Sequence, residues 1–276
     1  MTNLETKQEL TREYRDIKYI LTSNMRAKLL LALYEIPKNL DELRKELTKP
    51  SATILHGLKE LETINLVKKA QKCYELTSNG YLLTTNMVKL IENWYALSKN
   101  EIFWDNHDLS DIPEEIIKNI YLLKDAKYIN STTSDLSIAF NKYINLISNS
   151  TELQMILPIY SENHFKHIIT LLNEDKLKKL EIIINEEIYK SIENNEIFKK
   201  ELLNNKKVNV IIISKPVTIF LTQSKEFMSL TLFFKDGHYD DSQILIANDK
   251  NAKKWALSLW KFYLGEKNND NRSQDS

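Results

Sequence analysis

The stretch from Leu40 to Leu76, LDELRKELTKPSATILHGLKELETINLVKKAQKCYEL, constrains this chain more than any other. Leu40, Leu43 and Leu47 recur at helical spacing, with Asp41 and Glu42 at the end where a helix dipole is positive, so a short helix is predicted over 40–47. Pro50 breaks it. Ile54, Leu58 and Leu61 then recur at i, i+4 and i+7, which predicts a second helix with one buried face. Ser51 and Thr53 supply hydroxyls suited to starting that helix or to touching phosphate. The buried face leaves Ser51, Ala52, Leu55, His56 and Lys59 turned outward. Leu66 and Val67 lead into Lys68, Lys69, Gln71 and Lys72, and Tyr74 and Leu76 return, giving a ribbon with a basic tip.

Helix, turn, helix and basic ribbon are the parts of a winged helix-turn-helix. In that arrangement Ser51, Thr53, Leu55, His56 and Lys59 are the candidates to meet the major groove or its edges. Lys68, Lys69 and Lys72 are the candidates to neutralise backbone phosphate and hold the helix in register. The alternative is a winged-helix protein–protein interaction module without direct DNA binding, in which Leu55 and Gly57 on the exposed face admit a partner protein. Only His56 and Lys59 carry cationic groups on that face, and Gly57 lowers helix stability by about 1 kcal/mol relative to alanine.

At 276 residues and 32.4 kDa, the chain has the length of two ordinary domains. Its formal net charge is zero, unevenly spread: the first hundred residues hold 16 Lys/Arg against 12 Asp/Glu, leaving 22 against 26 in the rest. That asymmetry suits a nucleic-acid head joined to a neutral-to-acidic partner domain. Cys73 is the single cysteine, which rules out an internal disulfide framework and reads as a small packing residue in a reducing interior. No apolar run approaches the ~20 residues of a membrane span and no secretion signal opens the sequence, so the expected location is cytoplasmic, without a membrane partner.

Ahead of the motif, Leu10, Tyr14, Ile17 and Leu21 mark one helix, and Met25, Leu29, Leu30 and Leu33 a second that Pro37 ends. Behind it, Thr77 is placed to cap a long helix from Ser78 to about Lys99. Leu83, Met87, Leu90, Trp94 and Leu97 form a coiled-coil-like seam along that helix, on the order of 33 Å long. A winged head with few phosphate contacts gains most by reading two half-sites at once, so a homodimer is expected.

These elements define residues 1–100 as a DNA-binding domain with its trailing helix. Residues 101–124 read as a connector in which Pro113 starts a helix and Trp104 and His107 are packing residues. From Asp125 to residue 265, short apolar runs alternate with helices. Strands are predicted at 127–131, 152–158, 180–185, 208–214, 217–222, 227–235 and 244–247, with helices at 135–147, 164–173 and 187–203. The expected fold class is therefore α+β, a winged head followed by an α/β domain with a mixed, largely parallel sheet. Asp236-Gly237 marks a tight turn. A closing helix carries Trp255, Leu259, Phe262 and Tyr263 on one side, and the tail 266–276, with nothing to bury, is expected to be disordered.

Catalytic constellations are weak. His164 and His167 stand at i, i+3 near Glu162, but no third metal ligand lies close in sequence. His164-Phe165-Lys166 has the spacing of a phospholipase D-type motif, yet Leu171 occupies the required acidic position and no second copy exists. Four glycines in the whole chain leave no phosphate-cradling loop. The expectation is a non-enzyme without metal or cofactor. Tyr160, Phe220, Phe227, Phe233, Phe234 and Tyr239 lie near strand ends, where some are placed to line a pocket for a small-molecule effector.

The run PVTIFLTQSKEFMSLTLFFKDGHYDD, with Phe227, Ser229, Leu230, Leu232, Phe233, Lys235, Asp236, Gly237 and Tyr239 in place, resembles the conserved domain of archaeal methanogenesis/filamentation-type regulators. DLSDIPEEII, LPIYSENH and the terminal helix with Trp255 follow the same pattern in order. The resemblance covers most of Asn106 to Leu264, and the head is similar to the winged helix preceding that domain in the family. It implies an archaeal transcriptional regulator acting as a homodimer, with no established catalytic residues. The chain departs from similar recognition helices by carrying Leu55-His56-Gly57 where Ser, Arg and His are common, which bears on the DNA sequence it prefers.

Overall fold

A computed structural model of the chain describes the backbone of residues 11, 14, 15 and 17–274, with side chains through Gly265. Leu10 of the predicted first helix lies outside the described residues, whereas 17–21 are helical. Contacts divide the chain into two compact units, Met1–Ile91 and Glu92–Ser276.

The first unit contains α1 (Asn24–Ala32), β1 (Lys38–Asn39), α2 (Leu40–Leu47), α3 (Ser51–Thr63), β2 (Val67–Ala70), β3 (Cys73–Leu76) and most of α4 (Ser78–Ser98). Asn39 caps α2 reciprocally: its side chain accepts from the Asp41 and Glu42 amides, and the Glu42 carboxylate accepts from the Asn39 amide at 2.7 Å. Leu29, Leu30, Leu43, Ile54, Leu58 and Leu61 close the core between the three helices. The ribbon has a third, two-residue strand that the sequence pattern did not show, β1 pairing antiparallel with β3. Two residues are too few to display alternation.

Gly57 corrects an expectation. It is buried, not exposed: a Cβ there would stand 2.8 Å from Leu29 Cδ1 and Met25 Cγ, so the glycine lets α3 approach α1. Gly80 is tighter still, since a Cβ would lie 1.9 Å from the Leu66 carbonyl oxygen. The adjoining backbone is fixed, with Thr77 Oγ1 donating to the Asn65 carbonyl at 2.7 Å and accepting from the Gly80 amide at 3.0 Å. Gly80→Ala must push the start of α4 off the ribbon, and a stability loss of about 3 kcal/mol is expected. Chemical denaturation followed by circular dichroism measures it; a loss below about 0.5 kcal/mol would show that the helix start is free to shift.

In the second unit, α5 (Glu101–Asn106) and α6 (Glu114–Ile117) precede β4 (Lys127–Asn130), α7 (Ile138–Ser148), β5 (Glu152–Ile156), α8 (Glu162–Asn173) and β6 (Lys179–Asn185). There follow α9 (Glu186–Glu193), α10 (Glu196–Phe198) with a π-helical turn at Lys199–Leu203, and β7 (Val208–Ile213). The unit ends with β8 (Ile219–Gln223), β9 (Met228–Leu232), β10 (Gln243–Ala247) and α11 (Lys250–Gln274).

The sheet order is β4-β10-β9-β8-β5-β6-β7. The sheet is mixed as expected, but not largely parallel: β5, β6 and β7 run parallel, while the other four pairings are antiparallel. Helical crossovers join the parallel pairs β5–β6 and β6–β7. Beyond β7 no helix intervenes, so β8 and β9 turn back on each other. Strand alternation feeds two cores. Ile183, Leu221, Leu230 and Leu245 face α11, and Ile182, Ile184, Phe220 and Ile244 face α7 and α8, giving three layers.

Residues 101–124 are not a connector. Phe103, Trp104, Ile112, Ile116 and Leu123 belong to the core shared with α11. The Asp111 carboxylate accepts from the Thr218 amide and hydroxyl, Tyr263 Oη donates to the Asp111 carbonyl at 2.6 Å, and Trp255 Nε1 donates to the Ile116 carbonyl at 3.1 Å. These partners lie more than a hundred residues away, beyond any local pattern. The tail expectation also changes: the backbone of α11 runs helically to Gln274, because extending an existing helix needs only one further hydrogen bond per residue.

Candidate nucleic-acid interface and ligand cavity

The outward face of α3 carries the predicted residues. Ala52, Thr53, Leu55, His56 and Lys59 are exposed and Ser51 is half-buried, while Ile54, Leu58 and Leu61 fasten the helix from below. The starting hydroxyls do not serve as caps. Pro50 is the N-cap, without a side-chain hydrogen bond, because α3 begins at Ser51 and both hydroxyl residues already lie inside it. His56 is less free than its exposure suggests, since Nδ1 stands 3.5 Å from Glu60 Oε2. That carboxylate also pairs with Arg26 at 2.9 Å. Burial pushes the Glu60 carboxyl up, but the hydrogen bond and charge of Arg26 prevail and hold it below its ordinary value.

The three wing lysines differ. Lys68 lies directly across from Glu75 and pairs with it at 2.9 Å. Lys69 is on the other face of the ribbon, with its ammonium 5.6 Å from the Tyr74 ring. Lys72 is exposed at the tip, where Gln71 takes a left-handed φ of 57° to close the turn. Three further cations were not singled out from the sequence: Arg44, Lys45 and Lys49 line a surface hollow with Asp41, Thr48 and Pro50, beside the start of α3, and Arg44 pairs with Asp41 at 3.2 Å. The signal was present, because Arg44, Lys45 and Lys49 fall on the polar side of the α2 pattern and its exit.

Along α4 the predicted seam divides. Leu83 and Met87 pack on the core of the first unit and Leu97 on that of the second, whereas Leu90 and Trp94 are 61% and 65% exposed.

The second unit contains a cavity of about 260 Å³ between α7, α8 and strands β8–β10. At its floor Tyr143 Oη lies 2.8 Å from His164 Nε2 and 3.2 Å from Thr222 Oγ1, all three residues buried. Burial, with a smaller contribution from the charge of His167, pulls the His164 pKa down to about 3. The imidazole is therefore neutral, and the Tyr143 hydroxyl is shared between its Nε2 and the Thr222 hydroxyl. Burial raises the phenol of Tyr143 in turn. His164 and His167 do not converge on a shared ion site, since His167 Nε2 is 2.8 Å from Ser148 Oγ.

Phe220 and Tyr239, among the aromatic candidates, line this cavity; Phe140, Tyr143 and His164 complete it from the helices. Tyr143 escaped notice because Ala139, Tyr143 and Ile147 read as an ordinary apolar stripe. At the rim Asp240 is buried and hydrogen-bonds His107 Nε2 at 3.1 Å, so His107 is more than a packing residue.

Because the folded state holds His164 neutral, lowering the pH favours the unfolded chain. The stability contributed by neutral His164 is fully present above its unfolded pKa of about 6.5 and is lost as pH falls toward about 3. The expected slope is about 1.4 kcal/mol per pH unit in that window. All four tryptophans, Trp94, Trp104, Trp255 and Trp260, fall in the second unit, so their fluorescence reports its unfolding. His164→Gln should flatten the pH profile; an unaltered slope would assign it to other groups.

Residues 14–94 match the family described as methanogenesis regulatory protein FilR1, N-terminal domain, and residues 137–266 match the middle domain of the same family. The methanogenesis regulatory protein FilR1 of Methanothrix harundinacea (strain 6Ac) is 22% identical over 250 residues, 90% of this chain and 56% of the relative. The chain thus spans little more than half the length of that relative. Among solved structures, TrmBL2, described as an archaeal chromatin protein with a novel mode of DNA binding, is similar at a TM-score of 0.40 and 13% identity, over 88% of this chain and 91% of that one. An IcIR transcriptional regulator from Alicyclobacillus acidocaldarius is similar at 0.23 and 10% identity, over 87% and 95%. At these TM-scores neither likeness assigns a function. With two matches in order to successive domains of one family, the chain belongs to the methanogenesis regulatory protein FilR1 family.

Proposed function

We propose that the chain is a transcriptional regulator that binds double-stranded DNA through its winged head. The observation that carries this reading is the pairing of an outward α3 face, held from beneath by Ile54, Leu58 and Leu61, with a basic ribbon tip beside it. In this reading α3 enters the major groove by its N-terminal half, with Ser51, Thr53, Leu55, His56 and Lys59 at or near base edges. Lys69 and Lys72 meet flanking phosphate, and Arg44, Lys45 and Lys49 meet the backbone at the helix entrance. The family's description as a regulatory protein supports the same role. The protein acts in the cytoplasm as a homodimer, supported by Leu90 and Trp94 exposed on α4, and a small-molecule effector in the second unit sets its affinity for DNA. The described residues include no helix long and apolar enough to cross a membrane.

The test is fluorescence anisotropy of the full chain with duplex from upstream of its own gene against shuffled duplex, at two salt concentrations. Tighter, salt-weakened binding to the native duplex is expected. Equal, negligible binding to both would transfer the head to protein recognition, although burial of Gly57 leaves Leu55 without the neighbour that reading used.

A further inference from the structure

We propose that the cavity between α7, α8 and strands β8–β10 binds a small organic amine carried on an apolar ring, and that such a compound is the effector. The effector role rests on the regulator reading; the binding does not.

The size fits a compact ligand. About 260 Å³ exceeds the ~150 Å³ that holds benzene and sits near the lower end of pockets for drug-sized molecules. Phe140, Phe220 and Tyr239 supply ring faces, and Phe220 and Tyr239 lie 6.2 Å apart between centroids, so a flat apolar body has walls to pack on. The floor is already satisfied, since Tyr143 is shared between His164 and Thr222. A ligand therefore finds its unused polar contact at the rim.

The rim decides the charge. Asp240 and Asp241 both line the cavity, and no Lys or Arg does. The two oxygens of Asp240 are already engaged, Oδ2 by His107 and Oδ1 by the amide and hydroxyl of Ser242. Exposed Asp241 is the carboxylate left for an ammonium group. A phosphate or carboxylate would meet two like charges and a neutral imidazole, whereas an ammonium group gains Asp241 and the faces of the ring walls. Occupancy has a route outward, because Asp240 ties the rim to His107, the residue that ends α5.

Benzylamine, benzyl alcohol and benzoate share one shape and differ in charge, so they separate the terms. Ligand-observed NMR titration of the full chain, without DNA, is expected to show benzylamine binding at least tenfold more tightly than benzyl alcohol, with benzoate undetected. Asp241→Asn, at an exposed position, should erase the preference for the amine. Leu136→Trp, at the exposed mouth, should weaken benzylamine binding at least tenfold. Benzoate binding as well as benzylamine, an unchanged order in Asp241→Asn, or no binding of any of the three would overturn the proposal. Failure to bind DNA in the anisotropy assay would remove the effector role and leave these titrations unaffected.

Discussion

Asp240→Ala is expected to destabilise the second unit by about 3 kcal/mol, because it leaves more than one polar group without its acceptor at a cost of about 1–3 kcal/mol each. His107 is fully buried, with Nε2 3.1 Å from Asp240 Oδ2 and Nδ1 2.5 Å from the Phe103 carbonyl. Both ring nitrogens thus face acceptors, and the ring is stacked on Phe234 with centroids 5.0 Å apart, so it cannot turn to water. Alanine at 240 leaves one nitrogen and the Ser242 amide without the carboxylate they share. For a unit of this size the loss corresponds to a drop of roughly 10 °C in the tryptophan-detected midpoint. Replacing both partners, His107→Phe with Asp240→Leu, should recover part of the loss, because the ring nitrogen is then no longer orphaned while the Ser242 amide still lacks its carboxylate. A single-variant loss below about 1 kcal/mol would show that water or a neighbour replaces the carboxylate.

The second large effect concerns the wing. Lys69→Ala combined with Lys72→Ala should reduce the slope of log affinity against log salt by about 2, since each lysine neutralising one phosphate contributes roughly 0.9. At 0.1 M salt that difference amounts to about a 60-fold weaker complex. Lys68→Ala should change the slope by less than about 0.5, because Glu75 already holds that ammonium across the ribbon. Anisotropy titrations at several salt concentrations measure all three slopes, with circular dichroism to verify folding. An unchanged slope in the double variant would remove the wing from the interface.

Much of the cavity was hidden for a reason that also explains its chemistry. Phe220 and Tyr239 stood out as aromatics near strand ends, but Tyr143 and His164 lie 21 residues apart on different helices, and Thr222 lies 79 residues from Tyr143. No local pattern links them, because the strands that bring them together are paired out of sequence order. The same holds for His107 and Asp240, separated by 133 residues.

What the sequence determined alone was local. Leucine spacing specified α2 and α3, a threonine began α4, Asp236-Gly237 closed a turn with Gly237 at a φ of 89°, and alternating apolar runs marked the seven strands of the larger sheet. These follow from backbone periodicity and turn geometry, which act over a few residues. Only the tertiary structure decided that the sheet is mostly antiparallel, that 101–124 belongs to the core of the second unit, that Gly57 faces α1, and that Glu75 engages Lys68. Each depends on which distant surfaces meet, and burial rewards a meeting for the area and polar partners it supplies, whatever the separation along the chain.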